Sequence, residues 1–325
     1  MVVDNQIYEN ADVTSPIQSE AIQIKAILST SMLPALPQTA ARVLSVSRNL
    51  DCGPIDLAEP IEADSSLVAQ VLQFVNSSYF GFRQKISSVR QAVSLVGNRA
   101  IKNFVLWTAV YSVIPDPKCA QFSLRDLRTD ALRRGVFAKS LAKLLGAADV
   151  EEAFTAGLLQ DIAVPLLARD LGEIYTALLF RRDDGRVRLS QLEREVFGWT
   201  HAEVAASLLE EWHLPRELAI LVRSHTDAEQ LLAQTSPPAA AVAVAMSSLL
   251  PAATDRAWPE RQSLEFCWDQ LPLRHQSALP DFLKMIDEAY NELANSLGVV
   301  GGADSIAARF AGSPCAASMC ASNNS

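Results

Sequence analysis

Apolar residues recur at helical spacing along nearly the whole chain, and this pattern decides the fold class. From about residue 20 to about residue 300 they return at steps of three and four, as in the segment 89–96, and no segment alternates convincingly with a period of two. An amphipathic helix buries one such stripe, whereas a half-buried strand requires the alternation. The sequence therefore predicts an all-α protein.

Capping residues mark where several of these helices begin. Asp64, Ser88 and Asn98 each precede an apolar periodic segment and are predicted N-caps. Thr200 and Glu203 have the spacing of a capping box, in which each residue binds the other's backbone N–H. These positions predict short connections between successive helices.

One predicted helix carries a carboxylate on its apolar stripe. Asp149 and Glu152 have capping-box spacing and predict a helix that continues to residue 162 and is disrupted by Pro165. Asp161 lies almost above Phe154, two turns along this helix. A carboxylate in apolar surroundings needs a hydrogen-bond partner or a cation. An N-cap or a salt bridge to a neighbouring helix would satisfy it, and so would a metal ion.

Two histidines have features that favour metal binding. His201 is the first residue of the helix that Thr200 caps, where the helix dipole disfavours imidazolium, so we expect a neutral ring. His225 lies on the inward stripe of the next helix. The alternative is that both are ordinary semi-buried histidines that donate to backbone carbonyls. His213 and His275 have no comparable context and are predicted at the surface.

Asp161, His201 and His225 together offer two imidazoles and one carboxylate, a set that can hold one divalent transition-metal ion. They lie on three separate predicted helices, so their spacing does not show whether they converge. The chain contains no glycine-rich phosphate loop, GxSxG segment or HExxH motif.

Apolar runs, the first residues and the cysteines indicate the cellular compartment of the protein. No apolar run approaches the roughly 20 residues that span a bilayer, and the first 15 residues lack the basic and apolar regions of a signal peptide. The five cysteines are scattered and form no CxxC pair, which indicates reduced thiols. These features predict a cytoplasmic protein without membrane contact.

Charge argues against a nucleic acid as the main partner, since the formal net charge is −9. The helical hairpin at 88–109 resembles a helix-turn-helix in outline, but its second helix is too apolar to lie in a groove. Two basic clusters are interpreted as solvated faces, with anionic ligands as the rarer alternative. They comprise Arg125, Arg128, Arg133, Arg134, Lys139 and Lys143, and then Arg181, Arg182, Arg186 and Arg188.

Several motifs in a fixed order resemble the HDOD domain, an HD-related output domain of bacterial signalling. The resemblance runs from about Leu33 to Ala228, roughly 60% of the chain, with Ser65 where the family usually has proline. The segments that carry it are LPALPQTAARVL (33–44), IEADSSLVAQVLQFVNSSYFGF (61–82), SSVRQAVSLVGNRAIKNFVL (87–106), AFTAGLLQDIAVPLLA (153–168), HAEVAASLLEEWHLP (201–215) and VRSHTDA (222–228).

The resemblance implies a two-lobed helical architecture with a degenerate HD-like lobe. A mobile leader is expected at 1–24, an N-terminal helical lobe at 25–118 and the HD-like lobe at 119–228. The boundary between the two lobes is expected in the segment IPDPKCAQ. A helical extension at 229–299 and a disordered tail at 300–325 follow.

The resemblance also implies that the site has lost ligands. It carries Asp161, His201 and His225 onto positions of the HD metal ligands, but Gln160 replaces the histidine of the His-Asp doublet. The early histidine of the family is absent, because Arg134 or Gly135 occupies its position. Thr226 stands where a second histidine often follows His225, and the segment AVAVAMSSLL contains no late aspartate. Three ligands cannot build a two-metal site. We therefore expect no catalytic residues and no cofactor beyond at most one divalent metal ion.

The resemblance implies non-catalytic signal transduction through contacts with other signalling proteins. These contacts would belong to cyclic-dinucleotide or two-component networks. The sequence does not itself demonstrate that the protein binds a cyclic dinucleotide. One alternative, a residual metal-dependent phosphohydrolase, requires Asp161, His201 and His225 to meet. Another, a nucleotide-binding regulator, requires an arginine cluster to line a pocket. Asn76 and Ser77 are candidates for a functional groove, although Asn before a turn is also a common helix C-cap.

Overall fold

Every regular element in the described part of the chain is helical. The computed structural model describes residues 24, 34–47, 49, 52–272, 278–299 and 304–312, and these contain seventeen α-helices, one 3-10 turn and no strand. The all-α prediction is therefore confirmed.

The first part of the chain forms α1 (Gln38–Ser47), α2 (Pro54–Glu62), α3 (Ser65–Val75), the 3-10 turn (Ser78–Phe80), α4 (Val89–Val96) and α5 (Asn98–Val113). The middle part forms α6 (Leu124–Leu144), α7 (Val150–Leu159), α8 (Ala163–Asp170), α9 (Gly172–Arg181), α10 (Leu189–Phe197), α11 (His201–Glu211) and α12 (Arg216–Arg223). The last part forms α13 (Ala228–Leu232), α14 (Ala239–Ser247), α15 (Arg261–Asp269), α16 (Leu279–Leu297) and α17 (Ile306–Gly312).

Three of the predicted helix caps are confirmed. The Asp64 carboxylate accepts from two backbone N–H groups in the first turn of α3, and the Ser88 hydroxyl accepts from a backbone N–H in the first turn of α4. At the start of α11, the Glu203 carboxylate accepts from the Thr200 N–H at 2.9 Å, and the Thr200 hydroxyl accepts from a backbone N–H of the first turn. The start of α11 fixes the position of His201.

The cap predicted at Asn98 is wrong, and Asp149 occupies its predicted N-cap position without the predicted hydrogen bonds. Asn98 is the first residue of α5 rather than its cap, and its amide donates to the Cys52 carbonyl at 2.7 Å. Asp149 precedes α7 but accepts no capping hydrogen bond, and its carboxylate pairs with Arg99. In both cases a contact with a distant part of the chain replaces the local one.

Asp161 lies in a short turn rather than inside a helix. The helix expected to continue to residue 162 ends at Leu159, and Pro165 lies in the first turn of α8, where a missing N–H costs little. The Asp161 carbonyl accepts from the Val164 N–H at 3.1 Å. The turn places the Asp161 side chain between helices.

Helix α6 runs through the core and packs against α7, α14 and α16, while α1 to α5 pack mainly against one another. Arg133 on α6 is only 2% exposed. Its guanidinium lies 4.8 Å from the centre of the Tyr290 ring and donates to the Asp304 carbonyl at 3.1 Å. The interpretation of the first basic cluster as a solvated face is therefore wrong for Arg133.

Two glycines bring α6 and α7 into close backbone contact. A Cβ added at Gly157 would lie 2.9 Å from the Gly135 Cα and from the Arg134 carbonyl oxygen. A Cβ at Gly135 would lie 3.0 Å from the Leu158 side chain. Backbones approach this closely only where side chains are absent.

Part of the expected tail is structured. Helix α17 packs on α16, and the buried Asp287 carboxylate accepts from the N–H groups of Ile306 (3.0 Å) and Ala307 (2.9 Å). The expectation of disorder is therefore wrong for residues 304–312, whereas 313–325 lie outside the described residues. Of the expected leader, only Ile24 is described; it is helical and buried. No helix among the described residues is long and apolar enough to cross a bilayer.

Candidate functional site

The structure brings the three predicted metal ligands together. Asp161 lies in the α7–α8 turn, His201 is the first residue of α11, and His225 follows the end of α12. One ligand atom from each residue lies within 4.8 Å of the others. Both histidines are buried, and the Asp161 side chain is 13% exposed.

The closest distances join the Nε2 atoms of the two rings and one carboxylate oxygen. His201 Nε2 lies 3.1 Å from His225 Nε2 and 3.3 Å from Asp161 Oδ1. His225 Nε2 lies 3.9 Å from the same oxygen. The three groups therefore face a common point.

Hydrogen bonds at Nδ1 orient both rings. The Nδ1 of His225 lies 2.7 Å from the Val222 carbonyl, which can only accept, so Nδ1 carries the proton. The Nδ1 of His201 lies 2.6 Å from Glu193 Oε2. Each ring therefore directs Nε2 at the site, an arrangement that is common for metal-ligating histidines.

Glu193 was not singled out from the sequence, although it makes two contacts with His201 and a third with Tyr175. Its carboxylate is fully buried, binds the His201 ring, accepts from the His201 backbone N–H at 2.9 Å, and accepts from the Tyr175 hydroxyl. The available signal was a carboxylate directly after Leu192 on the apolar stripe of α10. These buried contacts indicate that Glu193 fixes the position and orientation of the His201 ring.

The charges in the site favour different protonation states for the two rings. Burial alone would lower the pKa of His201, but Glu193 and Asp161 outweigh it and raise this pKa to about 10. Burial, together with the positive charge of His201, lowers the pKa of His225 to about 3. The prediction that the helix dipole keeps His201 neutral is therefore wrong, because two carboxylates exceed the dipole.

Arg134 provides a second cation beside Asp161. Its guanidinium, on α6, contacts Asp161 Oδ2, and both side chains are 13% exposed. Burial would raise the pKa of Asp161, but Arg134 and the two histidines hold it well below its usual range. The salt bridge considered for Asp161 is thus present, and the solvated-face interpretation is wrong for Arg134 as well.

Comparisons with known proteins identify the family. The family model for the HDOD domain matches residues 33–228, more than half of the chain. This chain belongs to the HDOD family. The boundaries expected for its lobes and for its extension remain predictions.

Three solved structures share the HDOD fold over most of the chain. An HDOD domain protein of unknown function from Geobacter sulfurreducens is 21% identical, with a TM-score of 0.61, covering 91% of this chain and 93% of that one. A candidate phosphohydrolase from Shewanella amazonensis is 20% identical, with a TM-score of 0.61 and coverages of 90% and 98%. A candidate signal transduction protein from Marinobacter aquaeolei is 21% identical, with a TM-score of 0.62 and coverages of 93% and 67%.

Among curated proteins, an uncharacterised protein of Treponema pallidum is 25% identical over 213 residues, which is 64% of this chain and 41% of that protein. The protein YuxH of Bacillus subtilis is 29% identical over 133 residues, 41% of this chain and 32% of that protein. This HDOD chain therefore spans less than half the length of the curated relatives that it matches.

The residues of the HDOD site fit a single metal ion. Two imidazole nitrogens bound to one tetrahedral zinc lie about 3.3 Å apart, close to the 3.1 Å between the Nε2 atoms here. Asp161 Oδ1 completes a set of three protein ligands. Gln160, at the doublet position, is fully buried and its carbonyl oxygen accepts from Ser247 at 3.1 Å.

A cavity of about 120 Å³, here called the histidine cavity, opens beside this site. Arginines from both basic clusters line it, as the nucleotide-binding alternative requires, but most of their charge is balanced. Arg134 pairs with Asp161, and Arg182 pairs with Asp255 at 2.6 Å. The charged and histidine residues of the lining are Asp126, Asp130, Arg134, Asp161, Arg182, Arg188, His201, His225, Asp255 and Glu260.

Asn76 has a structural role in this HDOD protein. It is the C-cap residue of α3, and its side chain bonds the N–H (2.7 Å) and the carbonyl (2.8 Å) of Ile86. Ser77 is buried, and its hydroxyl has no hydrogen-bond partner among the described residues. The functional groove expected at this pair remains a prediction. His213 is exposed, as expected, while His275 lies outside the described residues.

Proposed function

We propose that this protein is a non-catalytic signal-transduction module that acts through contacts with other signalling proteins. The observation that carries the proposal is the Arg134–Asp161 pair. A relative of the same fold described as a candidate signal transduction protein supports it. A relative described as a candidate phosphohydrolase supports the alternative, a residual enzyme.

The Arg134–Asp161 ion pair limits how many metal ions the Asp161 carboxylate can bind. An aspartate that bridges two metal ions through both carboxylate oxygens offers one oxygen to each ion. Here Arg134, which stays charged at all relevant pH values, uses Oδ2 and leaves Oδ1 to face the two histidines. The site can therefore hold one ion but lacks the ligands for a second.

If one ion binds, His201, His225 and Asp161 would hold it, and it would supply Lewis-acid activation of a bound water. Glu193 and the Val222 carbonyl keep the two rings aligned. Binding at Nε2 requires His201 to give up the proton that the carboxylates favour. In this proposal the ion has a structural or sensing role.

Exposed apolar side chains supply a surface for protein contacts. Phe180 and Ile174 on α9 are 72% and 60% exposed, and α10, which packs on α9, exposes Val196. Exposed apolar patches of this kind often mark interaction sites. We infer that partners contact the surface around Phe180 and that the protein acts in the cytoplasm.

The first test measures metal content and hydrolysis together. Untagged protein purified without chelator is compared with Asp161→Asn for bound metal and for hydrolysis of bis(p-nitrophenyl) phosphate with added Mn²⁺. We expect at most one ion per chain, and hydrolysis no faster than in the variant. Hydrolysis that is lost in Asp161→Asn would overturn the non-catalytic assignment and establish the residual enzyme.

A second test addresses the contact face. Phe180→Ser should reduce cross-linking to partners captured by the wild type, and Phe266→Ser, which changes an exposed phenylalanine on α15, serves as the matched control. Equal effects of the two substitutions would argue against α9 as the contact surface.

A further inference from the structure

A second cavity, of about 520 Å³, lies between the N-terminal helices and α6. We call it the tryptophan cavity. It shares no lining residue with the histidine cavity, and its volume lies in the range typical of small-molecule sites. Its lining residues are Gln70, Gln73, Phe104, Trp107, Thr108, Tyr111, Ser112, Leu124, Arg125, Arg128, Leu297, Gly298 and Val299.

The charge of this lining is unlike that of the whole chain. The described lining residues include two arginines and no carboxylate, in a protein of net charge −9. The Arg128 guanidinium donates to the Tyr111 carbonyl at 2.9 Å and lies 5.9 Å from the centre of the Tyr111 ring. Within the described residues it forms no ion pair, so it retains donors for an anion.

The ring of Trp107 adds a second observation. Trp107 lines the cavity, is 6% exposed, and has an indole N–H that is closed to solvent and has no acceptor in the described structure. Trp107 therefore offers a ligand an aromatic surface rather than a hydrogen-bond donor. Phe104, Leu124 and Leu297 supply apolar surface around it.

Two hydroxyl groups are set to accept hydrogen bonds. Thr108 donates to the Val105 carbonyl at 2.9 Å and Ser112 to the Ala109 carbonyl at 2.7 Å, so each hydroxyl hydrogen is used within α5. Their oxygen lone pairs remain available. The lining therefore combines cationic donors, apolar surface and neutral acceptors.

We propose that the tryptophan cavity binds a small organic phosphate with a flat apolar body. A phosphate monoester carries about −1.5 to −2 charges at pH 7, and its oxygens can accept from the remaining N–H donors of Arg128. Its ring would lie on the apolar part of the lining, and polar groups on the ring would meet Thr108 and Ser112.

Helix α6 lines both the tryptophan cavity and the histidine cavity. Asp126, Asp130 and Arg134, at steps of four, line the histidine cavity, whereas Arg125 and Arg128 on the opposite face line the tryptophan cavity. One helix is therefore a wall of both cavities. A ligand that draws Arg128 inward acts on the helix that carries Arg134.

The test is isothermal titration calorimetry of the full chain with 1-naphthyl phosphate, with adenosine 5′-monophosphate and inorganic phosphate as further probes. We expect saturable 1:1 binding of the aromatic phosphates, weakened about tenfold or more in Arg128→Gln and less in Trp107→Phe. Arg90→Gln, which changes an exposed arginine paired with Glu62, should bind as the wild type does.

Asp161→Asn separates this proposal from the proposed function, since Asp161 lines the histidine cavity and not the tryptophan cavity, and the variant should still bind the aromatic phosphates. Absence of saturable binding, or equal affinity in Arg128→Gln and wild type, would overturn the assignment. Binding lost only in Asp161→Asn would place the ligand in the histidine cavity and overturn it equally. Equal affinity for inorganic phosphate would contradict the role of the apolar lining.

Discussion

The guanidinium of Arg134 and the carboxylate of Asp161 form an ion pair between α6 and the α7–α8 turn, with both side chains 13% exposed. Breaking a buried pair leaves one charge uncompensated. We expect Arg134→Met to lower the free energy of unfolding by about 3 kcal/mol, measured by urea denaturation. Arg99→Met, which breaks the exposed pair with Asp149, should cost less than about 1 kcal/mol. Similar losses in both variants would contradict the burial argument.

Glu193 should control the protonation of His201. Its carboxylate helps to raise the pKa of His201 to about 10, so Glu193→Gln should lower that pKa. Ring nitrogen NMR of chelator-treated protein would follow the titration directly. In a matched control, Glu195→Gln on the same helix should leave the His201 titration unchanged, and an unchanged pKa in Glu193→Gln would contradict the assigned role.

The same raised pKa predicts how stability depends on pH. Because the pKa of His201 is higher in the folded protein than the unfolded value of 6.5, its stabilising contribution is complete below pH 6.5 and is lost as pH rises towards 10. The free energy of unfolding of chelator-treated protein should therefore fall across this range. His201→Asn should show a smaller fall, and an identical slope would refute the prediction.

Asp130 should destabilise the protein when it ionises. Burial raises the pKa of this carboxyl to about 7, despite the nearby arginines, so its favourable contribution is present below about pH 4 and lost by pH 7. Asp130→Asn should increase the free energy of unfolding by about 2 kcal/mol at pH 8, with little effect at pH 4. Asp126→Asn, one turn earlier on α6, is the control, and equal gains at both pH values would contradict this explanation.

Asp287 should hold α17 in place. Its carboxylate accepts from Ser305 (2.6 Å) as well as from the N–H groups of Ile306 and Ala307. Asp287→Ala should speed amide hydrogen exchange in residues 304–312, because the first turn of α17 loses these acceptors. Asp281→Ala, near the start of α16, should leave exchange in α17 unchanged.

Local patterns in the sequence predicted the helical class and several helix starts, and the three candidate ligands lie close together in the structure. Helical periodicity does not depend on distant contacts, so the all-α class and the caps at Asp64, Ser88 and Thr200 followed from neighbouring residues. The capping hydrogen bonds expected at Asn98 and Asp149 are absent because distant groups, Cys52 and Arg99, bind these side chains.

The electrostatics of the site could not be predicted in the same way. Whether Arg134 is solvated or buried depends on how α6 packs, and periodicity on a basic segment does not reveal it. The charge of His201 depends on Glu193, which becomes its neighbour only when α10 and α11 fold together. Tertiary proximity therefore decides the ion pairing of Arg134 and the charge of His201.

The contact of Gly135 with Gly157 limits how α6 and α7 can move relative to each other. With no side-chain layer between α6 and α7 at this point, the two helices have little room to slide or separate. Arg134 follows the motion of α6, and Asp161 follows the end of α7. A rearrangement that links the two cavities must therefore carry both helices as one rigid unit, with the movement taken up where this unit meets its neighbours.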